Sequence, residues 1–185
     1  KGKKGAAFAV TAQLRTQSAP PPVTLFFAPI KAARQEMLIE KATELGVAEL
    51  IPVITQHTVV SRVNTARLLA IAVEAAEQCE RLTVPVVAEA TTLDAIAAWQ
   101  GTHPGVPVLV LDEAAARGRA AATPLPIALS RSKGPAAFVV GPEGGFSSDE
   151  HARLAALKTV PVTLGPRILR AETAGIAAQI GRAHV

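Results

Sequence analysis

The sequence carries one cysteine, Cys79, one tryptophan and no tyrosine. A lone thiol closes no disulfide within the chain and builds no cysteine metal cluster, a usage that suits a reducing compartment. Cys79 itself reads as a small buried apolar residue. Aromatic residues make up 3% of the chain, too few for a platform that stacks single-stranded bases. No apolar run approaches the roughly 20 residues of a membrane helix, and the basic opening KGKKG leads into no signal-peptide core. The cytoplasm is the expected address. His103 and His151 have no ligand-spaced partners, so no metal is expected.

What is present points to a folded domain. Of 185 residues, 49% are hydrophobic and 18% charged, a globular composition at a length that suits one compact core. The formal charge of +4 admits an anionic partner such as nucleic acid, although Lys and Arg are scattered rather than blocked. The stretch GAAFAVTAQLRTQSAPPP reads as a strand followed by a proline-rich linker at Pro20, Pro21 and Pro22, the tail of an upstream domain. At the other end IGRAHV matches the translation of a common sequencing adapter. Residues 180–185 are therefore expected to be a non-native tail on a shortened helix, which leaves residues 20–179 as the main domain.

Strand-like and helix-like segments alternate in between. VTLFFAP is a short apolar run ended by proline. RQEMLIEKATELG places Met37, Leu38, Ala42 and Leu45 near one helical stripe, with Gly46 as the stop. AELIPVIT reads as a strand, and NTARLLAIAVEAAEQCE as a helix capped by Asn64 with Leu68, Ala72, Ala75 and Cys79 on one face. VPVV, VPVLVLDE, AAFVVGPE and VPVTLGP are further apolar runs, while TTLDAIAAWQ and SDEHARLAALK are helical in pattern. The alternation predicts an α/β fold, a mostly parallel sheet with helices on both faces. Ligands of such sheets bind at the carboxyl ends of strands.

The densest chemical signal is GPEGGFSSDE, which follows the strand AAFVV. Ser147 and Glu150 form a capping-box pattern that starts the next helix. Gly141, Gly144 and Gly145 lack a Cβ, so a bound molecule could touch the main chain there. The loop is neither a phosphate loop, lacking the Lys-Ser/Thr pair, nor the GxGxxG fingerprint. Alone it reads equally as a tight strand-to-helix turn. Two other strand ends strengthen the ligand reading. VTLGPRILRAETA gathers Arg167, Arg170, Glu172 and Thr173, and VPVLVLDE ends at Leu111, Asp112 and Glu113. Three such ends converging would make a pocket for a flat heterocycle, with Leu111, Leu164 and Ile168 as apolar walls. The arginines read otherwise as solvated surface, and Glu172 as a first-turn acid favouring a helix dipole.

EKATELGVAELIPVIT, EQCERLTVPVV, VVGPEGGFSSDE and LGPRILRAETA, in that order and spacing, resemble the RsmE-type 16S ribosomal RNA uracil-N3 methyltransferases of the SPOUT class. The resemblance runs from about Val23 to about Ala178. It implies an α/β-knot domain with a C-terminal trefoil knot, normally a homodimer, that binds S-adenosylmethionine. It implies cofactor contacts at Leu111, Gly141, Pro142, Glu143, Gly144, Leu164, Gly165, Ile168, Leu169 and Thr173. It also implies an N-terminal PUA-like β-barrel that helps hold RNA, of which residues 1–19 would be a remnant.

The chemistry sets further expectations. Uracil N3 attacks poorly until its proton is lost, so either a base removes it or positive charge stabilises the developing anion. Arg170 is the electrostatic candidate, with Arg167 and Arg81 as phosphate or base clamps. Glu172 and Glu143 are candidates for a base or for orienting an arginine, and equally for fixing loops. Where relatives usually carry an arginine, this chain reads TQHT, so His57 stands there, and Arg62 could replace the charge. Two rivals stay open: a SPOUT enzyme that methylates a ribose 2′-hydroxyl of rRNA or tRNA, and an inactive ribosome-binding relative.

Overall fold

A computed structural model describes residues 7, 9–14, 16, 22–60, 62–113, 121–131 and 134–183. Its elements are β1 (Val23–Phe27), α1 (Ala32–Glu44), β2 (Glu49–Ile54), α2 (Thr65–Gln78), β3 (Val86–Val87), β4 (Thr91–Thr92) and α3 (Asp94–Thr102). They continue with β5 (Val108–Leu111), β6 (Thr123–Pro124), α4 (Leu125–Ser130), β7 (Ala136–Val140), α5 (Ser148–Ala156), β8 (Val160–Thr163) and α6 (Ala171–Ala183).

The sheet runs β3-β2-β1-β7-β5-β8-β6, with β4 paired to β2. Every described pairing is parallel. Parallel strands need crossover connections, and the helices that make them cover both faces. Strand residues accordingly alternate between two cores. Leu25, Phe27, Leu109, Phe138 and Val140 face α1, α2, α4 and α6, packing on Leu38, Ile39, Leu68, Leu129 and Ala178. Phe26, Val108, Val110, Ala137 and Val139 face α3 and α5 through Ile96, Trp99 and Leu154. Phe26, Phe27 and Phe138 are fully buried, each stabilising the fold by about 2–3 kcal/mol relative to exposure. No helix among the described residues is long and apolar enough to cross a membrane.

The sequence patterns account for the helix starts. Asn64 accepts a hydrogen bond from Arg67 N at 3.0 Å, and Ser147 and Glu150 complete a reciprocal capping box. Two expectations need correction. Met37 is half exposed, because α1 buries Gln35, Leu38, Ile39, Ala42 and Thr43, a stripe from which position 37 is rotated away. Cys79 is exposed rather than buried: α2 ends at Gln78, and the chain turns outward through Glu80 with φ of 55°. Residues 9–14 form no strand, and much of the proline-rich segment lies outside the described residues. At the other end α6 continues through the expected boundary at 179 to Ala183, and His184 and Val185 lie outside the described residues.

Candidate active site

Strands β7, β5 and β8 lie side by side and end on the same edge of the sheet. From β7 the chain leaves toward α5 on one face, and from β8 toward α6 on the other. Such divergence opens a crevice beyond the strand between them. A cavity of about 250 Å³ lies there, lined by all three strand ends. β5 contributes Leu111, Asp112 and Glu113; the β7 loop contributes Gly141, Pro142, Glu143, Gly145 and Phe146. The β8 loop contributes Leu164, Gly165, Ile168 and Leu169, with Arg167 and Arg170 exposed on the rim.

The glycine loop is held from behind. Gly145 N donates to Pro142 O at 2.9 Å, and Gly145 sits at φ of 70°, a left-handed conformation in which a side chain is strained. The buried Glu150 accepts from Ser147 N at 2.9 Å with one oxygen and from Gln56 N at 2.8 Å with the other. That second bond bolts the turn after β2 onto the start of α5. His57, in the same turn, lies 3.0 Å by Nδ1 from Gly145 O. A carbonyl only accepts, so the ring donates through Nδ1. On the far side Phe146 meets His151 edge-on, and His151 Nδ1 stands 3.5 Å from the buried Asp112 carboxylate. On the β8 side, Ala174 N donates to Arg170 O at 2.8 Å, which fixes the Arg170 backbone at the mouth of α6.

Three carboxylates, Asp112, Glu113 and Glu143, thus line a largely apolar cavity that has two cations on its rim. Acceptors of this kind suit hydroxyls, amines and a cationic centre, and the apolar walls suit a planar ring. A further cation, which the sequence patterns did not single out, stands behind them. Arg34, in the first turn of α1, places Nη1 3.7 Å from Glu143 Oε1 and Nε 3.7 Å from Glu172 Oε1.

Residues 17–180 match the family of the RNA methyltransferase domain. The ribosomal RNA small subunit methyltransferase E of Rickettsia conorii is 35% identical over 96% of this chain and 70% of its own length. The chain belongs to this methyltransferase E family. Among solved structures, the methyltransferase E of Neisseria gonorrhoeae, bound to S-adenosyl methionine, matches with a TM-score of 0.71 at 30% identity, over 87% of this chain and 65% of that one. A Legionella pneumophila protein with bound cofactor SAM matches with a TM-score of 0.76 at 28% identity, over 89% and 67%. The chain spans 50% to 65% of other curated relatives of the same name.

Most of the residues that the family resemblance singled out meet in the cavity; some do not. Leu111, Gly141, Pro142, Glu143, Leu164, Gly165, Ile168 and Leu169 line it, as do Arg167 and Arg170. Gly144 is packed behind the loop against His57, and Thr173 is exposed on α6. Glu172 is buried outside the lining. Arg62 is exposed. Arg81 lies elsewhere: its guanidinium donates to Thr43 O at 2.9 Å and Val47 O at 2.6 Å, closing the carboxyl end of α1. Burial there holds its pKa below the ordinary arginine value.

Proposed function

We propose that this chain transfers the methyl group of S-adenosylmethionine to N3 of a uridine in 16S ribosomal RNA, in the cytoplasm and as a homodimer. The observation that carries the reading is the convergence of three strand-end loops on one cavity with Arg170 and Arg167 on its rim. The Neisseria and Legionella neighbours, both with this cofactor bound, supply the ligand class. The site's own chemistry fits it. Main chain at Gly141, Leu164 and Gly165 would hold the ring and ribose, and the carboxylates at 112 and 113 would hold the hydroxyls and offset the sulfonium charge.

When bound there, the cofactor supplies a methyl group on an excellent leaving group, so the protein's main task is alignment. In the transfer the N3–carbon bond would form as the sulfur–carbon bond breaks, leaving a neutral thioether, and the N3 proton would pass to a base on this chain. Arg170 faces the developing charge on the uracil ring. Glu143 is the carboxylate on the lining that can take the proton, directly or through water. Glu172, buried at the start of α6, acts as a support. Arg167 and the exposed Arg62 and His57 contact the RNA backbone. The knot of the family belongs to the same reading: with the order β7-β5-β8-β6 the chain passes β5 from β6 to β7 and again from β7 to β8, before α6 returns to pack on α1.

The test is nucleoside mass mapping of small-subunit RNA after incubation with the protein and labelled cofactor. A methyl on uracil N3 is expected. A methyl on a ribose oxygen would replace the reading with the ribose enzyme, and cofactor binding without any transfer would replace it with an inactive relative.

A further inference from the structure

Arg34 stands at the third position of α1, where the helix dipole disfavours a cation, and the first turn of α1 holds no acid to offset it. Its charge is met from elsewhere. Glu143 comes from the β7 loop and Glu172 from the first turn of α6, the two segments that form opposite walls of the cavity. Both contacts are 3.7 Å, ion pairs that are longer than hydrogen bonds. Glu172 is 5% exposed, and its second oxygen, Oε2, is buried without a hydrogen-bond partner among the described residues. A buried carboxylate so placed depends on its arginine. One turn further on, α1 and α6 pack closely: a Cβ on Gly175 would lie 2.9 Å from the tip of Leu38, at Cδ1. Arg34, its side chain 37% exposed, thus pairs with the buried Glu172 on α6 and with the exposed Glu143 on the loop.

We infer that Arg34 is a positioning residue that ties the glycine loop, through Glu143, to the start of α6, through Glu172, so that the two walls hold one spacing around the cofactor. The inference rests on the cavity being the S-adenosylmethionine site. A guanidinium can serve both carboxylates at once because its donors fork in a plane, whereas an ammonium is a single point of charge. Arg34 lies off the cavity lining and reaches it through Glu143, so its loss is read as a change in cofactor affinity.

The experiment titrates S-adenosylmethionine by calorimetry into the parent, Arg34→Gln and Arg34→Lys, each checked for folding by circular dichroism. Arg34→Gln is expected to weaken binding about tenfold, and Arg34→Lys about threefold. A purely structural arginine would lower the melting temperature and leave the affinity of the folded protein unchanged, and that result overturns the inference. A parent that binds no cofactor would sink the proposed function instead. The tie is then judged without ligand, by urea unfolding of Arg34→Gln, Glu143→Gln and the double variant: non-additive losses support it, and additive losses overturn it.

Discussion

His57 and Gly144 stand so close that a Cβ built on Gly144 would lie 3.0 Å from the Cβ of His57. Neither atom can swing aside, since each hangs directly on its backbone. The turn that carries His57 is also bolted in place, by Gln56 N on Glu150. Gly144→Ala is therefore expected to push the glycine loop into the cavity and weaken cofactor binding about tenfold. His57→Ala keeps the offending Cβ and gives no relief. His57→Gly removes it, so the pair Gly144→Ala with His57→Gly should bind more tightly than Gly144→Ala alone. Equal affinity for the single and the paired variants would show that the contact does not set the loop.

Arg81 separates a structural arginine from an RNA clamp. Its guanidinium closes α1 on two carbonyls; a hydrogen bond from a charged donor contributes about 1.5–3 kcal/mol, and the Thr43 carbonyl keeps a second bond, from Gly46 N, when Arg81 is lost. Arg81→Ala should lower unfolding stability by about 2–3 kcal/mol, read from urea midpoints, with cofactor affinity unchanged within about twofold. A loss of RNA affinity at undiminished stability would return Arg81 to the nucleic-acid surface.

The pair of Arg153 on α5 and Asp94 at the start of α3 sets a pH dependence. Arg153 donates to the Asp94 carboxylate, as does the Thr92 hydroxyl at 3.1 Å, and together they hold its pKa below the ordinary 3.8. A depressed folded value means that the stabilisation is complete above the unfolded pKa and is lost as pH falls through the folded one. The difference in melting temperature between the parent and Arg153→Gln should be constant near neutrality and shrink below about pH 3.8. Both groups are exposed, so added salt should shrink it as well. A gap that widens on acidification would contradict the assignment.

The residues whose roles are local were legible in the sequence. Asn64, Ser147 and Glu150 cap helices through bonds that span three positions, and the short runs VTLFF and AAFVV, bounded by proline or glycine, form strands buried on both faces. The cavity was legible too, because each of its walls ends an apolar run in a glycine loop or an acidic pair. Arg34 and Arg81 were not, for one shared reason: their partners lie far along the chain, and the three-dimensional meeting leaves no periodic trace. Cys79 misled because a helical stripe extrapolates past the point where the backbone turns. His57 stood out as a departure from the family pattern, but its bond to Gly145 O came only with the fold.

Arg170 carries the chemical prediction. It is exposed on the rim, its backbone is pinned at the mouth of α6 by Ala174 N, and with Arg167 it brings positive charge to the edge of the cavity. A charge aimed at a transition state contributes little to ground-state binding of the cofactor and a great deal to the chemical step. Arg170→Ala is thus expected to lower kcat for RNA methylation by about 10²–10³-fold while cofactor affinity stays within about threefold. Arg170→Lys, which keeps a positive charge but loses the planar fork, should fall between the two. Single-turnover methylation of small-subunit RNA, paired with calorimetry on the same preparations, reads both quantities. Turnover by Arg170→Ala equal to that of the parent would remove Arg170 from the reaction and leave Arg167, its neighbour on the rim, as the cation to test.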